Sequence, residues 1–155
     1  MDKIIPYGKH YIDDDDIESV IDVLKHKNLT QGKEIQSFEQ AVADFVGAKY
    51  AVAMSSWTAG LHMACLAAGV TKGDKVITSP ITFVATANAA FYCNARPLFS
   101  DIDSETINID HQSLGTLAEG NTNIKAIIPV HYGGLACNMK EIQNIAKKRN
   151  AIVIE

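Results

Sequence analysis

The sequence predicts an α/β fold, a mostly parallel sheet covered by helices on both faces. Two observations carry that expectation. Short apolar segments of strand length alternate with longer segments of helical period, and the short segments are continuously apolar rather than alternating, as strands buried on both faces are. At 155 residues, 47% hydrophobic and 21% charged, the chain is long enough for a domain with a real core.

The elements follow in order. Residues 14–27 read as a helix with Ile17, Val20, Ile21 and Leu24 on one apolar face. The run Asp13 to Asp16 before it suits a helix N-terminus, where carboxylates meet the favourable end of the dipole, better than a metal site. Residues 34–46 read as a second helix with Ile35, Phe38, Val42, Phe45 and Val46 inward and Gly47 as its stop. The period then changes. Strands are expected at 50–54, 75–78, 97–99, 124–130 and 151–154, separated by helices at 58–68, 82–92, 111–118 and 139–149.

Composition excludes several function classes. A net charge of -4 gives no basic footprint for nucleic acid. No apolar run reaches the roughly 18 residues of a membrane helix. Cys65, Cys93 and Cys137 are odd in number and lack paired spacing, which fits a reducing compartment, and no secretory signal opens the chain. A cytoplasmic protein is expected.

In parallel α/β sheets ligands collect at the carboxyl ends of the strands, so the strand-to-helix turns are where chemistry is sought. The first turn, "SSWTAGLH" from Ser55, opens a helix with small hydroxyl residues. Ser55 or Ser56 can cap that helix, and its free N–H groups can equally hold a phosphate, with Ser56 and Thr58 adding hydroxyls. The second turn holds Pro80, Thr82 and Phe83; Phe83 is either core or a ring lying flat on a planar ligand. The third holds His131, Tyr132 and a Gly-Gly pair, where His131 serves acid–base chemistry or a structural hydrogen bond. His131 and Cys137, six residues apart, make no metal site by themselves, and no nucleophilic triad assembles from spacing. The residues alone stop at an α/β domain with an anion site.

The segments "LTQGKEIQSFEQAVADFVGAKYAVAMSSWTAGLHMACLAAGV", "GDKVITSPITFVATANAAFYCNARPLFSDID", "IKAIIPVHYGG" and "AIVIE" occur here in one order. That order resembles the N-terminal part of the DegT/DnrJ-type sugar-nucleotide aminotransferases, of PLP fold type I, over residues 4–155. "LTQGK" and "SPITFVATANA" most resemble the pseudaminic-acid branch, whose member aminates a UDP-linked 4-keto-6-deoxy sugar. The resemblance implies pyridoxal 5'-phosphate (PLP) as cofactor, its phosphate at Ser56, Thr58 and Ala59, and Phe83 stacked on its ring. It places Thr30, Gln31 and Gly32, and more weakly Tyr7, beside the sugar nucleotide. It further implies L-glutamate as amino donor, a homodimer, and a division into an N-terminal helix and substrate-side segment (1–32) and an incomplete PLP-binding large domain (33–155).

The departures matter as much. PLP chemistry needs a lysine that forms a Schiff base and an acid that pairs with the ring nitrogen. The resemblance places both after Glu155, so the chain is expected to be a fragment, inactive alone, with no catalytic residue and no metal ligand assigned. Trp57 is bulkier than the residue usual at its position. Two other readings stay open: a PLP-dependent sugar dehydratase of the same family, and a non-catalytic module that binds a phosphate or sugar nucleotide.

Overall fold

A computed structural model describes residue 6 and residues 8–155; Tyr7 lies outside the described residues. The chain divides into two units, Met1–Ala53 and Met54–Glu155.

In the first unit, α1 spans Asp14–His26 and α2 spans Lys33–Val46. The aspartate run is a capping box: the Asp13 carboxylate accepts the Asp16 N–H and the Asp16 carboxylate accepts the Asp13 N–H, each at 3.2 Å. The α2 helix stops at Gly47, which takes the left-handed conformation at φ 68°. Between the helices, Lys27 reaches both Asp22 (2.7 Å) and Glu34 (2.9 Å). These exposed pairs orient the turn more than they stabilise it.

The apolar faces of α1 and α2 form as the periodicity predicts but are not inward. Ile17, Val20, Ile21, Leu24, Ile35, Phe38, Phe45 and Val46 are all exposed, and Ala43 alone in α2 is buried. Periodicity fixes which side of a helix is apolar without fixing what covers it.

The expected strand at 50–54 does not form. Tyr50, Val52 and Met54 are exposed, and no strand among the described residues pairs with this run. An apolar run of strand length becomes a strand only where a ladder partner takes its N–H and C=O groups. Here the Ala53 N–H instead finds the Glu39 carboxylate at 2.8 Å.

The second unit is a three-layer sandwich. Its strands are β1 (Lys75–Thr78), β2 (Arg96–Phe99), β3 (Ile124–Ile128) and β4 (Ile152–Val153), all parallel in the order β2-β1-β3-β4. Four of the five expected strands are therefore present. Helices α3 (Trp57–Ala67) and α4 (Ala85–Tyr92) cover one face; α5 (His111–Glu119) and α6 (Met139–Arg149) cover the other. Val76, Ala126 and Ile128 pack with Leu61, Cys65, Ala85 and Ala89 on the first face. Ile77, Ile124 and Ile127 pack with Leu114, Ala118, Ile142 and Ala146 on the second. Consecutive strand residues thus feed opposite cores, which explains the unbroken apolar runs. The three cysteines are buried and free, and burial pushes the Cys65 thiol up to about 11.

The α4 helix starts three residues later than expected, because Thr86 N–H closes a turn onto the Phe83 carbonyl first (3.0 Å). Among the described residues no helix is long and apolar enough to cross a membrane.

Asp110 caps α5, accepting the N–H groups of Gln112 (3.2 Å) and Ser113 (2.9 Å). The Ser113 amide foremost holds its carboxyl below the ordinary 3.8. A depressed folded value contributes stability that is complete above the unfolded value and lost as pH falls through the folded one. Asp110→Asn, still a capping residue, should therefore flatten the acid limb below about pH 4 in urea unfolding while keeping neutral-pH stability within about 1 kcal/mol.

Candidate functional site

The turns after β1 and β3 meet Glu155, just past β4, at the carboxyl ends of these strands. They and the first turn of α3 line a cleft of about 280 Å3 formed by Trp57, Leu61, Thr82, Phe83, Thr86, residues 128–131 and Glu155. This is where a parallel sheet places a ligand.

At the α3 turn, Ser56 is the N-cap. Its backbone is extended, its hydroxyl oxygen accepts the Ala59 N–H at 3.2 Å, and its carbonyl accepts the Gly60 N–H at 3.0 Å. The N–H groups of Trp57 and Thr58 have no partner among the described residues. The cap leaves donors over: Ser56 satisfies one amide, and two remain open at the positive end of the helix dipole. Ser56 is exposed, Thr58 and Ala59 half-buried. The bulk of Trp57 is accommodated by exposure: the residue is 68% exposed, and a Cβ added at Gly60 would make only ordinary contact with the indole at 3.4 Å.

At the β1 turn, Thr78 donates its hydroxyl to the Ile128 carbonyl at 2.8 Å, and Ser79 donates to the Ile81 carbonyl at 3.1 Å. The hydroxyls of Thr82 and Thr86 share a hydrogen bond of 2.8 Å. Phe83, on the cleft, is 73% exposed. Its ring is not a core ring, so its surface is free for a planar ligand.

At the β3 turn, His131 makes the structural hydrogen bond, accepting the Cys137 N–H on Nδ1 at 3.1 Å, and its Nε2 also meets the Glu155 carboxylate at 3.0 Å. Gly133 and Gly134 take positive φ of 60° and 85°, a path that glycine follows without strain. Buried Asn108 pins this loop: its side chain accepts the Tyr132 N–H (2.8 Å) and donates to the Leu135 carbonyl (2.9 Å). Neither Asn108 nor Thr78 stands out in the sequence, since both act through long-range contacts that no local pattern signals. Among the described residues no cluster of three or more His, Cys, Asp or Glu could hold a metal ion.

Phe83 shares the cleft with Trp57 of the α3 turn, while Ser56, Thr58 and Ala59 are not among the residues that line it. Thr30, Gln31 and Gly32 lie in the first unit. Thr30 and Gln31 are exposed and Gln31 has φ of 54°. Gln31 and Gly32 line a hollow of about 460 Å3 with His26, Lys27, Asn28, Lys33 and Glu34. Gly32 has a reason within the fold: an added Cβ would stand 2.5 Å from the Asn28 carbonyl oxygen. Tyr7 lies outside the described residues.

Comparison with known proteins follows this geometry. Residues 10–155 match the model of the DegT/DnrJ/EryC1/StrS aminotransferase family. The chain is 40% identical over 153 residues to the UDP-4-amino-4,6-dideoxy-N-acetyl-beta-L-altrosamine transaminase of Campylobacter jejuni, covering 98% of this chain and 40% of that one. It superposes on Helicobacter pylori PseC, an aminotransferase involved in the biosynthesis of pseudoaminic acid, with a TM-score of 0.89 and 33% identity, covering 97% of this chain and 40% of that one. It also superposes on the putative sugar aminotransferase Spr1654 of Streptococcus pneumoniae in its PLP form, with a TM-score of 0.86 and 27% identity, covering 96% of this chain and 38% of that one. The chain spans about two-fifths of the length of the curated relatives it matches.

The cap role of Ser56 is separable from its hydroxyl chemistry. Ser56→Ala should cost about 1 kcal/mol and Ser56→Gly only a few tenths in urea unfolding, because glycine tolerates the cap conformation and leaves the amides open to water. Equal losses for both would show that the hydroxyl's hydrogen bond, which both variants remove, carries the whole effect.

Proposed function

Because the chain belongs to the DegT/DnrJ/EryC1/StrS aminotransferase family, we propose that it is the cofactor-holding part of a PLP-dependent aminotransferase. The amino group passes from L-glutamate to a UDP-linked 4-keto-6-deoxy sugar, in the cytoplasm, for a cell-surface sugar of the pseudaminic-acid type. The working form is a homodimer, with residues 1–32 serving the substrate side and 33–155 the PLP-binding domain. The observation that carries this reading is the pair of unpartnered amides at Trp57 and Thr58 beside a cleft that exposes Phe83.

The donor set fits a phosphate ester on a planar ring. The Trp57 and Thr58 amides, with the Thr58 and Ser56 hydroxyls, hold the phosphate, and the Ala59 backbone lies against it. Phe83 stacks on the ring and limits its tilt. When bound, PLP supplies the electron sink for moving the amino group. Thr30, Gln31 and Gly32, with Tyr7, contact the sugar nucleotide. The Schiff-base lysine and the acid for the ring nitrogen are assigned to no residue of this chain.

Trp57, the sole tryptophan, sits on the cleft, so PLP binding is readable as quenching of its fluorescence. Thr58→Asp should weaken PLP binding about tenfold or more by placing a carboxylate at the phosphate seat, a loss of about 1.4 kcal/mol. Phe83→Ala should weaken it several-fold. Unchanged affinity in Thr58→Asp would remove the phosphate from α3.

Residues 1–155 alone should transfer no amino group from L-glutamate to a keto-sugar nucleotide, and borohydride should fix PLP on no single lysine. A specific lysine adduct found by peptide mapping would overturn that expectation.

A further inference from the structure

The turn that carries Phe83 is clasped by two threonines. The Thr86 N–H donates to the Phe83 carbonyl at 3.0 Å, and the hydroxyls of Thr82 and Thr86 meet at 2.8 Å. Neither hydroxyl caps the helix, since α4 starts without a side-chain cap hydrogen bond. The hydroxyl pair instead spans Phe83, tying the residue before it to the residue three positions after it.

The two ends of the clasp are held differently. Thr86 is 6% exposed, and its neighbours on α4, Ala85, Ala89 and Ala90, pack in the core with Val76 and Ala126 of the sheet. Thr82 is half-buried and lines the cleft with Phe83. Just before it, the Ser79 hydroxyl donates to the Ile81 carbonyl at 3.1 Å and ties down the approaching chain. Phe83 belongs to neither core. A ring without core packing takes its direction from its backbone, and the clasp fixes that backbone. Threonine suits the task, because its branched Cβ leaves few rotamers and passes the constraint to the main chain.

We infer that Thr86 is a positioning residue that holds Phe83 on the cleft through the hydroxyl it shares with Thr82. This rests on the reading of the cleft as a PLP site. In that reading the α3 amides take the phosphate, so the clasp governs a separate property, the preference for a phosphate ester on a planar ring over phosphate itself.

Thr86→Val removes the hydroxyl and keeps the branched shape. Without any ligand, hydrogen exchange at the amide of residue 86 should quicken about fivefold, the size of one hydrogen bond, while the Ala89 and Ala90 amides stay as in wild type. Unchanged exchange at residue 86 would overturn the inference, whatever the cleft binds. Thr82→Val breaks the same bond from its half-buried end and should give the same result if Thr86→Val does not fold.

Trp57 fluorescence then follows titrations with PLP and with inorganic phosphate. Thr86→Val should weaken PLP about threefold and leave phosphate affinity unchanged, and Thr86→Ser, which keeps the hydroxyl, should restore PLP binding. In a Phe83→Ala background Thr86→Val should have no further effect on PLP, because the ring it positions is gone. The same loss in both backgrounds would mean that Thr86 acts on the ligand directly and would overturn the positioning role. A wild-type protein that responds to neither PLP nor phosphate would overturn the cofactor reading, and the selectivity assigned to the clasp with it.

Discussion

The Thr78 hydroxyl, buried between β1 and β3, donates to the Ile128 carbonyl at the carboxyl ends of both strands. Strand ends are where a ladder runs out of partners, and a carbonyl left unpaired there in the interior would be costly. Satisfying it with a side chain from the neighbouring strand lets the two chains diverge into separate turns while their ends stay registered. The β1 turn brings Phe83, the β3 turn brings His131, and the paired β4 brings Glu155 to the same rim. The cleft is a consequence of where the central strands are held together.

Much of this organisation is legible in the residues. Four strands and all six helices fall where apolar period and length place them, and Gly47, Ser56 and the aspartate run announce their caps through local chemistry alone. What the sequence hides is partnership. The run at 50–54 has the composition of a strand and no ladder neighbour among the described residues. The faces of α1 and α2 have the right period and stay exposed. His131 is recognisable as a residue that can do chemistry, but its partners are set by Cys137 and Glu155, 6 and 24 positions away. Local pattern encodes local energy; pairing across the sheet is decided by topology.

The α3 turn has more donors than its cap uses. A helix start leaves more donors than a single cap can satisfy. Ser56 takes the Ala59 amide and leaves those of Trp57 and Thr58 open, so the cap and the proposed phosphate seat would draw on different hydrogen-bond donors of the same turn. The exposed indole of Trp57 beside these amides forms a wall of the cleft.

The loop after β3 is held differently, by a buried side chain elsewhere in the fold. Asn108 grips the Tyr132 N–H and the Leu135 carbonyl, both backbone groups that any residue but proline would supply. The anchor is therefore indifferent to the side chains it holds, and residues 132–136 are exposed. Apart from Gly133 and Gly134, whose positive φ calls for glycine, such a loop can change its side chains beside the cleft without losing its path, while the asparagine that fixes it cannot.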